Sequence, residues 1–216
     1  MGHEETVAAL LERFGRTYAE EAGITLRDTP APLYRLLVLT TLSSVRIGAG
    51  LAVAAARELS AAGLRTPTAM ADSHWQARVD ALGRAHYVRY DESTATALGR
   101  GAELLIDRWH GDLRRLCDEA VGDPARIADL LREFPRIGPV GAGIFCREAQ
   151  AVWPTLRPFF DDRALHAAAE LGLPHTPAAL ADLAVPHDLA RLAAALTRAS
   201  LSGGRPRDLL AAGGGW

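Results

Sequence analysis

The segment LREFPRIGPVGAGIFCREAQ, residues 131–150, breaks a helical pattern briefly and then resumes it at once. Pro135 cannot continue the first helix, because its ring removes an N–H donor and clashes with the preceding turn. Gly138 can adopt the positive φ that a tight turn often needs. Pro139 suits the first position of the next helix. The pattern therefore predicts two helices joined by a tight hairpin.

The predicted hairpin leaves backbone donors free at the start of its second helix. The N–H groups of Gly138, Val140 and Gly141 fall where a helix has no internal acceptors for its amides. Such amides, together with the helix dipole, bind an anion such as a single phosphate. On shape alone, a plain corner between two helices remains the alternative interpretation.

The rest of the chain also shows helical patterns. Residues 4–22 place apolar side chains at helical spacing. Thr66–Pro67, Asp123–Pro124 and Thr176–Pro177 each combine a capping residue with a proline at the first helical position. Alternation of β-branched residues is nearly absent. We therefore predict an all-α fold of about ten helices.

The composition limits the chemistry that this chain can perform. The net charge is −2, so binding of nucleic acid would need a local site rather than a generally basic surface. All 24 basic residues are arginines, which leaves no side-chain amine for a Schiff base. Cys117 and Cys146 cannot provide the four thiolates of an iron–sulfur cluster. The histidines lack paired ligand spacing, so we expect no metal site.

The N-terminal sequence and the apolar runs indicate where the protein works. Acidic residues stand near the start, where a secretory signal would have basic ones. The longest apolar run is interrupted by Arg35 and is too short to span a bilayer. We expect a cytoplasmic protein.

The hairpin segment has a recognisable motif. FPRIGPVGA, residues 134–142, resembles the helix-hairpin-helix motif L-P-G-I/V-G-x-x-S/T-A. A second stretch, FDDRALHAAAELGL at residues 160–173, resembles a pattern that contains an aspartate. Both patterns are typical of one DNA glycosylase superfamily, the endonuclease III-like proteins. With the upstream helices, the resemblance covers residues 30–173. It implies a two-lobed helical DNA glycosylase fold.

The resemblance places Asp161 at the position of the family's aspartate. A carboxylate near C1′ stabilises the oxocarbenium-like sugar and orients or deprotonates water when an N-glycosidic bond breaks. Asp161 is therefore the candidate catalytic residue. An aspartate before RALHAAAEL is also a typical N-cap, with Asp162 as the alternative cap, and Asp161 can hold both roles.

Departures from the family pattern narrow the expected chemistry. Val140 stands where bifunctional relatives carry a lysine, which implies a monofunctional enzyme that leaves an abasic site. The four-cysteine loop of many relatives is missing, so no iron–sulfur cofactor is expected. Family members often hold a monovalent cation with hairpin carbonyls, and those near Arg136 and Ile137 are the candidates here.

The resemblance also suggests which residues meet DNA. The hairpin would contribute four candidates: Arg136, Gly138, Val140 and Gly141. Two loops would fill the space left by a flipped base, with candidates Arg46, His86 and Tyr87. The base pocket would be lined by Trp153, Phe159 and Phe160. The alternatives are structural, since exposed loop residues are common and aromatic residues often serve packing.

The resemblance implies two domains and one function. Residues 30–145 would form a helical barrel ending in the hairpin of residues 124–149. Residues 1–29 with 146–216 would form a second helical domain carrying Asp161. We expect a monomeric, monofunctional DNA N-glycosylase that removes a damaged or mismatched base from double-stranded DNA and associates with the nucleoid. The alternatives are a catalytically inactive DNA-binding or lesion-sensing relative, and a helical protein whose hairpin contacts another protein.

Overall fold

The computed structural model describes residues 2–202, which contain helices and no strand. The all-α prediction is thereby confirmed. These residues form thirteen α-helices, more than the predicted number because several are only one or two turns long. The helices are α1 (His3–Phe14), α2 (Tyr18–Glu21), α3 (Pro30–Ser43), α4 (Ala49–Ala61), α5 (Pro67–Asp72), α6 (Trp75–Arg84), α7 (Asp91–Trp109), α8 (Leu113–Glu119), α9 (Pro124–Leu131), α10 (Pro139–Ala149), α11 (Asp162–Glu170), α12 (Pro177–Ala181) and α13 (Leu189–Leu201).

The chain divides into two compact units. The hairpin unit is residues 18–146, and the terminal unit joins residues 2–17 to residues 147–202. Residue 1 and residues 203–216 of the predicted second domain lie outside the described residues. Residues 18–29 belong to the hairpin unit rather than to the predicted second domain, because Arg57 and Arg35 donate to the carbonyls of Glu21 and Gly23.

The hairpin unit is built around α3, whose leucines are buried along most of its length. A helix that is apolar on nearly all sides is stable only when other helices surround it. Helices α4 and α7 pack against it. At its C-terminal end, the Leu42 carbonyl accepts a hydrogen bond from Tyr87, and Ser44 lies close to Gly141 of α10.

Arg78 of α6 ties three helices of the hairpin unit together. Its guanidinium is buried and donates to the carbonyls of Met70 at 3.0 Å, Ser73 at 2.8 Å and Ala95 at 2.9 Å. These carbonyls lie at the end of α5, just after it and in α7. One side chain therefore satisfies backbone acceptors that would otherwise be buried without donors.

The terminal unit is a smaller cluster formed by α1, α11 and α13. Alanines dominate its core, among them Ala164, Ala167, Ala193 and Ala199. Small side chains allow helix backbones to approach closely, and larger residues from α1, such as Leu10, fill the remaining space.

Among residues 2–202, no helix is both long enough and apolar enough to cross a membrane.

We predict that Arg78→Met lowers the free energy of unfolding by about 3 kcal/mol, because several buried carbonyls lose their donor. Urea unfolding followed by circular dichroism measures the change. The matched control is Arg84→Met, which removes an exposed pair with Glu58 and is expected to cost less than about 1 kcal/mol. Equal costs for the two variants would contradict the anchoring role of Arg78.

Candidate functional site

The predicted helices on both sides of the break are present as α9 and α10. The residue with positive φ in the turn is Arg136, at 69°, so the expectation that Gly138 would adopt this conformation is wrong. A non-glycine residue is uncommon there. The Arg136 side chain is held by two hydroxyls, Ser93 Oγ at 2.9 Å and Thr94 Oγ1 at 2.8 Å. Its guanidinium carbon also lies 5.7 Å from the centre of the Tyr90 ring.

Packing inside the hairpin unit fixes the turn from its other side. Phe134 stacks on Trp109 with ring centres 5.5 Å apart and planes 20° from parallel. Arg108 of α7 pairs with Glu133 and with Glu119. Side chains from both ends of α7 therefore contact the turn between α9 and α10 and the residues just before it.

The two glycines of the hairpin serve different purposes. A Cβ placed on Gly141 would lie 2.4 Å from Ser44 Oγ and 3.2 Å from Ile137 Cγ2, so a side chain at this position requires the Ser44 hydroxyl to move. A Cβ on Gly138 would meet nothing within 4 Å. Neither backbone conformation nor neighbouring atoms within the protein explain a glycine at position 138.

The first turn of α10 leaves amides without helical acceptors. The amide of Ala142 donates to the Gly138 carbonyl at 2.9 Å. The amides of Val140 and Gly141 precede this bond and have no acceptor within the helix. The Val140 side chain is 75% exposed. Hence the start of α10 has the donors that an anion site needs.

Asp161 has two fixed contacts in the terminal unit. Its Oδ1 accepts from the amide of Ala164 at 2.9 Å, which makes Asp161 the N-cap of α11. Its Oδ2 accepts from Arg147 Nη1 at 2.5 Å. The Asp161 side chain is 21% exposed and that of Arg147 is 4% exposed. Asp162 is the first residue of the helix and is exposed, so Asp161 is the capping aspartate.

Gln150 organises the irregular segment that leads to Asp161. Its side chain is buried and both accepts from the amide of Phe159 at 3.0 Å and donates to the carbonyl of Phe159 at 2.8 Å. Arg157 donates back to the carbonyls of Gln150 and Ala151. These bonds close the segment into a compact loop directly before the capping aspartate.

The aromatic residues of this segment differ in accessibility. Trp153 and Phe160 are buried, and Phe160 belongs to the core of the terminal unit. The proposed role of these two residues in the base pocket does not fit, because rings held in a core are not available to a base. Phe159 is half-buried and remains a candidate for stacking.

The predicted loop residues also separate into exposed and buried ones. Arg46 and His86 are exposed, and His86 has a positive φ of 61°. Tyr87 is 1% exposed and donates from its hydroxyl to the Leu42 carbonyl at 3.2 Å. Its predicted contact with DNA does not fit this placement, because the ring is part of the core. Val88, which is exposed, is the next side chain along that loop.

The resemblance to the family motif did not single out three buried polar residues: Arg147, Glu148 and Gln150. Their position gave no signal of burial, since they follow the apolar run GIFC at the end of a helix, where charged side chains usually mark an exposed face. Charged residues that are fully buried almost always serve a specific pairing.

The described residues contain no group of three or more histidine, cysteine or acidic side chains that could hold a metal ion. A cluster held by four cysteine thiolates does not fit this chain, which has two cysteines. Burial raises the pKa of the Cys146 thiol to about 12, so this thiol stays protonated near neutral pH. The monovalent cation at the hairpin carbonyls stays a prediction.

We predict that Gly141 and Ser44 are energetically coupled. In the wild-type background, Gly141→Ala should be neutral or destabilising, because Ser44 must give up its bond to the Thr40 carbonyl at 2.7 Å. In the Ser44→Ala background the same change should cost less, because the contact at 2.4 Å is gone and the contact with Ile137 Cγ2 at 3.2 Å remains. Urea unfolding of the four proteins measures the coupling. Additive effects would contradict the close approach.

Comparisons with known proteins support the fold assignment. No protein family model and no curated protein matches this sequence. A solved structure of a trapped endonuclease III–DNA covalent intermediate, an estranged-adenine complex, is similar with a TM-score of 0.54 and 15% sequence identity. The match covers 90% of this chain and 81% of that one. At this identity the likeness establishes the architecture, and the chain therefore has the helical fold of endonuclease III.

Proposed function

We propose that this protein is a monofunctional DNA N-glycosylase that removes a damaged or mismatched base from double-stranded DNA. The observation that carries the proposal is Asp161, a partly exposed carboxylate fixed at the start of α11 in a chain with the endonuclease III fold. The similar solved structure is itself a complex with DNA. We propose that the protein acts as a monomer on cytoplasmic, nucleoid DNA.

The hairpin supplies the proposed contact to the DNA backbone. Amides of Val140 and Gly141 at the start of α10 would bind one phosphate. Gly138 would then be glycine because the phosphate approaches its backbone, since no atom of the protein occupies that space. Arg136 lies in the same turn, and its described partners are the neutral side chains of Ser93, Thr94 and Tyr90. Its positive charge therefore favours an anion nearby.

The proposed reaction follows the general logic of glycoside hydrolysis. The target base is flipped out of the duplex so that its sugar is accessible. As the bond from C1′ to the base breaks, the sugar gains positive charge, and the Asp161 carboxylate stabilises it. The sequence contains no lysine, and the resemblance of residues 134–142 to the family's hairpin motif would put Val140 at the position of the lyase lysine. We therefore propose hydrolysis without cleavage of the DNA strand by a Schiff base.

One observation favours the inactive alternative. Both carboxylate oxygens of Asp161 are already engaged, one by a backbone amide and one by Arg147. A purely structural aspartate would look the same in this respect. An assay of excision decides between the two functions.

We predict that the protein produces alkali-labile abasic sites in at least one of five duplexes, carrying uracil, a T·G mismatch, an alkylated purine, 8-oxoguanine, or adenine opposite 8-oxoguanine. Single-turnover incubation with and without alkali measures the product. Asp161→Asn should lower the rate at least about 100-fold, because the developing sugar cation loses its counter-charge. Asp162→Asn is the matched control and should change the rate little, since Asp162 is exposed and does not cap α11.

Other results of this assay would overturn parts of the proposal. Strand breaks without alkali would exclude the monofunctional mechanism. Binding of all duplexes without product would favour the inactive DNA-binding relative. DNA binding that is absent or independent of salt would favour a hairpin that contacts protein. Full activity of Asp161→Asn would exclude Asp161 as the catalytic residue.

We predict that Gly138→Ala weakens DNA binding about tenfold without lowering stability, because the added methyl group occupies the space proposed for the phosphate. The stability should stay constant or rise slightly, because the φ angle of Gly138 lies outside the left-handed region and an added Cβ would meet no atom within 4 Å. Fluorescence anisotropy measures the dissociation constant and thermal unfolding the stability. Gly2→Ala, another glycine with open space around it, is the control. Unchanged affinity would contradict the proposed phosphate site.

A further inference from the structure

The side chain of Arg147 is almost completely withdrawn from solvent. It lies in the last turn of α10, and its Nη1 donates to Asp161 Oδ2 at 2.5 Å and to Thr197 Oγ1 at 3.4 Å. Thr197 in turn donates to the Ala193 carbonyl within α13. The guanidinium therefore connects the end of α10 to the start of α11 and to α13 within the terminal unit.

Helix capping does not require this arginine. Thr66 and Thr176 cap α5 and α12 through neutral hydroxyls, and the cap bond from Asp161 Oδ1 to Ala164 is made without the guanidinium. Net stability is also a weak reason to bury an ion pair. Desolvation of the two charges offsets most of their attraction, and apolar residues of similar volume are often as stable.

The pair between Arg147 and Asp161 fixes the geometry of the Asp161 carboxylate. Oδ1 points at the first turn of α11 and Oδ2 points at Arg147, so both the position and the orientation of the Asp161 carboxylate are determined. The side chain retains 21% exposure, and each oxygen has a further lone pair. A reacting sugar can therefore meet the carboxylate while both existing hydrogen bonds stay in place.

We infer that Arg147 is a positioning residue that holds the Asp161 carboxylate in the orientation needed to face the reacting sugar. This inference rests on the proposed function. A carboxylate already held by the Arg147 guanidinium and the Ala164 amide faces the developing charge on the sugar without reorganisation during the reaction.

The proposed step balances without a proton on Asp161. The bond between C1′ and the base nitrogen breaks, and its electron pair leaves with the base. A water oxygen then bonds to C1′, and the proton released by that water passes to the departing base or to solvent. The products are an abasic sugar and a neutral free base.

The test uses full-length protein and whichever of the five lesion duplexes the wild type processes fastest. Arg147→Met should lower the single-turnover rate about 100-fold, because a misplaced catalytic group costs about that much. The dissociation constant for the duplex should change less than about threefold, since the buried Arg147 side chain has little surface to offer a ligand. Arg147→Lys keeps the charge without the planar fork and should fall between methionine and wild type.

The decisive comparison is made in the Asp161→Asn background. If Arg147 acts only through Asp161, Arg147→Met should cause no further loss of rate there, whereas a general structural defect would add to the loss. Arg191→Met is the matched control. It removes another arginine–aspartate pair of the terminal unit, to Asp188 at 2.6 Å, and should leave the rate unchanged.

Each outcome has a defined meaning. A rate for Arg147→Met within about threefold of wild type, with Asp161→Asn inactive, would overturn the inference and leave the proposed function intact. Equal losses in both backgrounds would also overturn it. If the wild type gives no product on any duplex, both the inference about Arg147 and the proposed function are overturned. If Arg147→Met does not fold, Arg147→Lys decides: a lower rate at unchanged affinity supports the inference, and an unchanged rate overturns it.

Discussion

The close approach between the backbone of Gly141 and Ser44 is the constraint on which the geometry of the hairpin depends. It brings the first turn of α10 against the end of α3, the most deeply buried helix of its unit. The groups proposed to bind the DNA phosphate belong to that turn or to the residues just before it. A side chain at position 141 would displace the Ser44 hydroxyl from its bond to the Thr40 carbonyl.

A chain of hydrogen bonds between polar side chains also joins the hairpin to the C-terminal end of α3. Arg136 bonds to Thr94, Thr94 lies 3.4 Å from the Tyr87 hydroxyl, and Tyr87 donates to the Leu42 carbonyl. The left-handed conformation of Arg136 costs about 1–2 kcal/mol in a residue other than glycine. Two hydrogen bonds and a ring contact offset that cost. The turn is thus fixed by close packing on one side and by a hydrogen-bonded chain on the other.

The sequence allowed the helical fold, the helices around the break and the capping position of Asp161 to be predicted, because each depends on local patterns of apolar spacing, proline and capping residues. The placement of Tyr87, Trp153 and Phe160 was not predictable in the same way. Aromatic residues in irregular segments have no periodicity that distinguishes a core ring from an exposed one. The Arg147–Asp161 pair depends on the path of the irregular segment between α10 and α11, which has no local pattern that reveals it.

The two hairpin glycines differ in what surrounds them. A side chain at position 141 would have to displace the Ser44 hydroxyl, whatever the protein binds, whereas a Cβ at position 138 would meet nothing within 4 Å. Under the proposed phosphate contact, only a bound DNA strand would restrict position 138. Chains with this fold that do not bind DNA would then be expected to vary more freely at position 138 than at position 141.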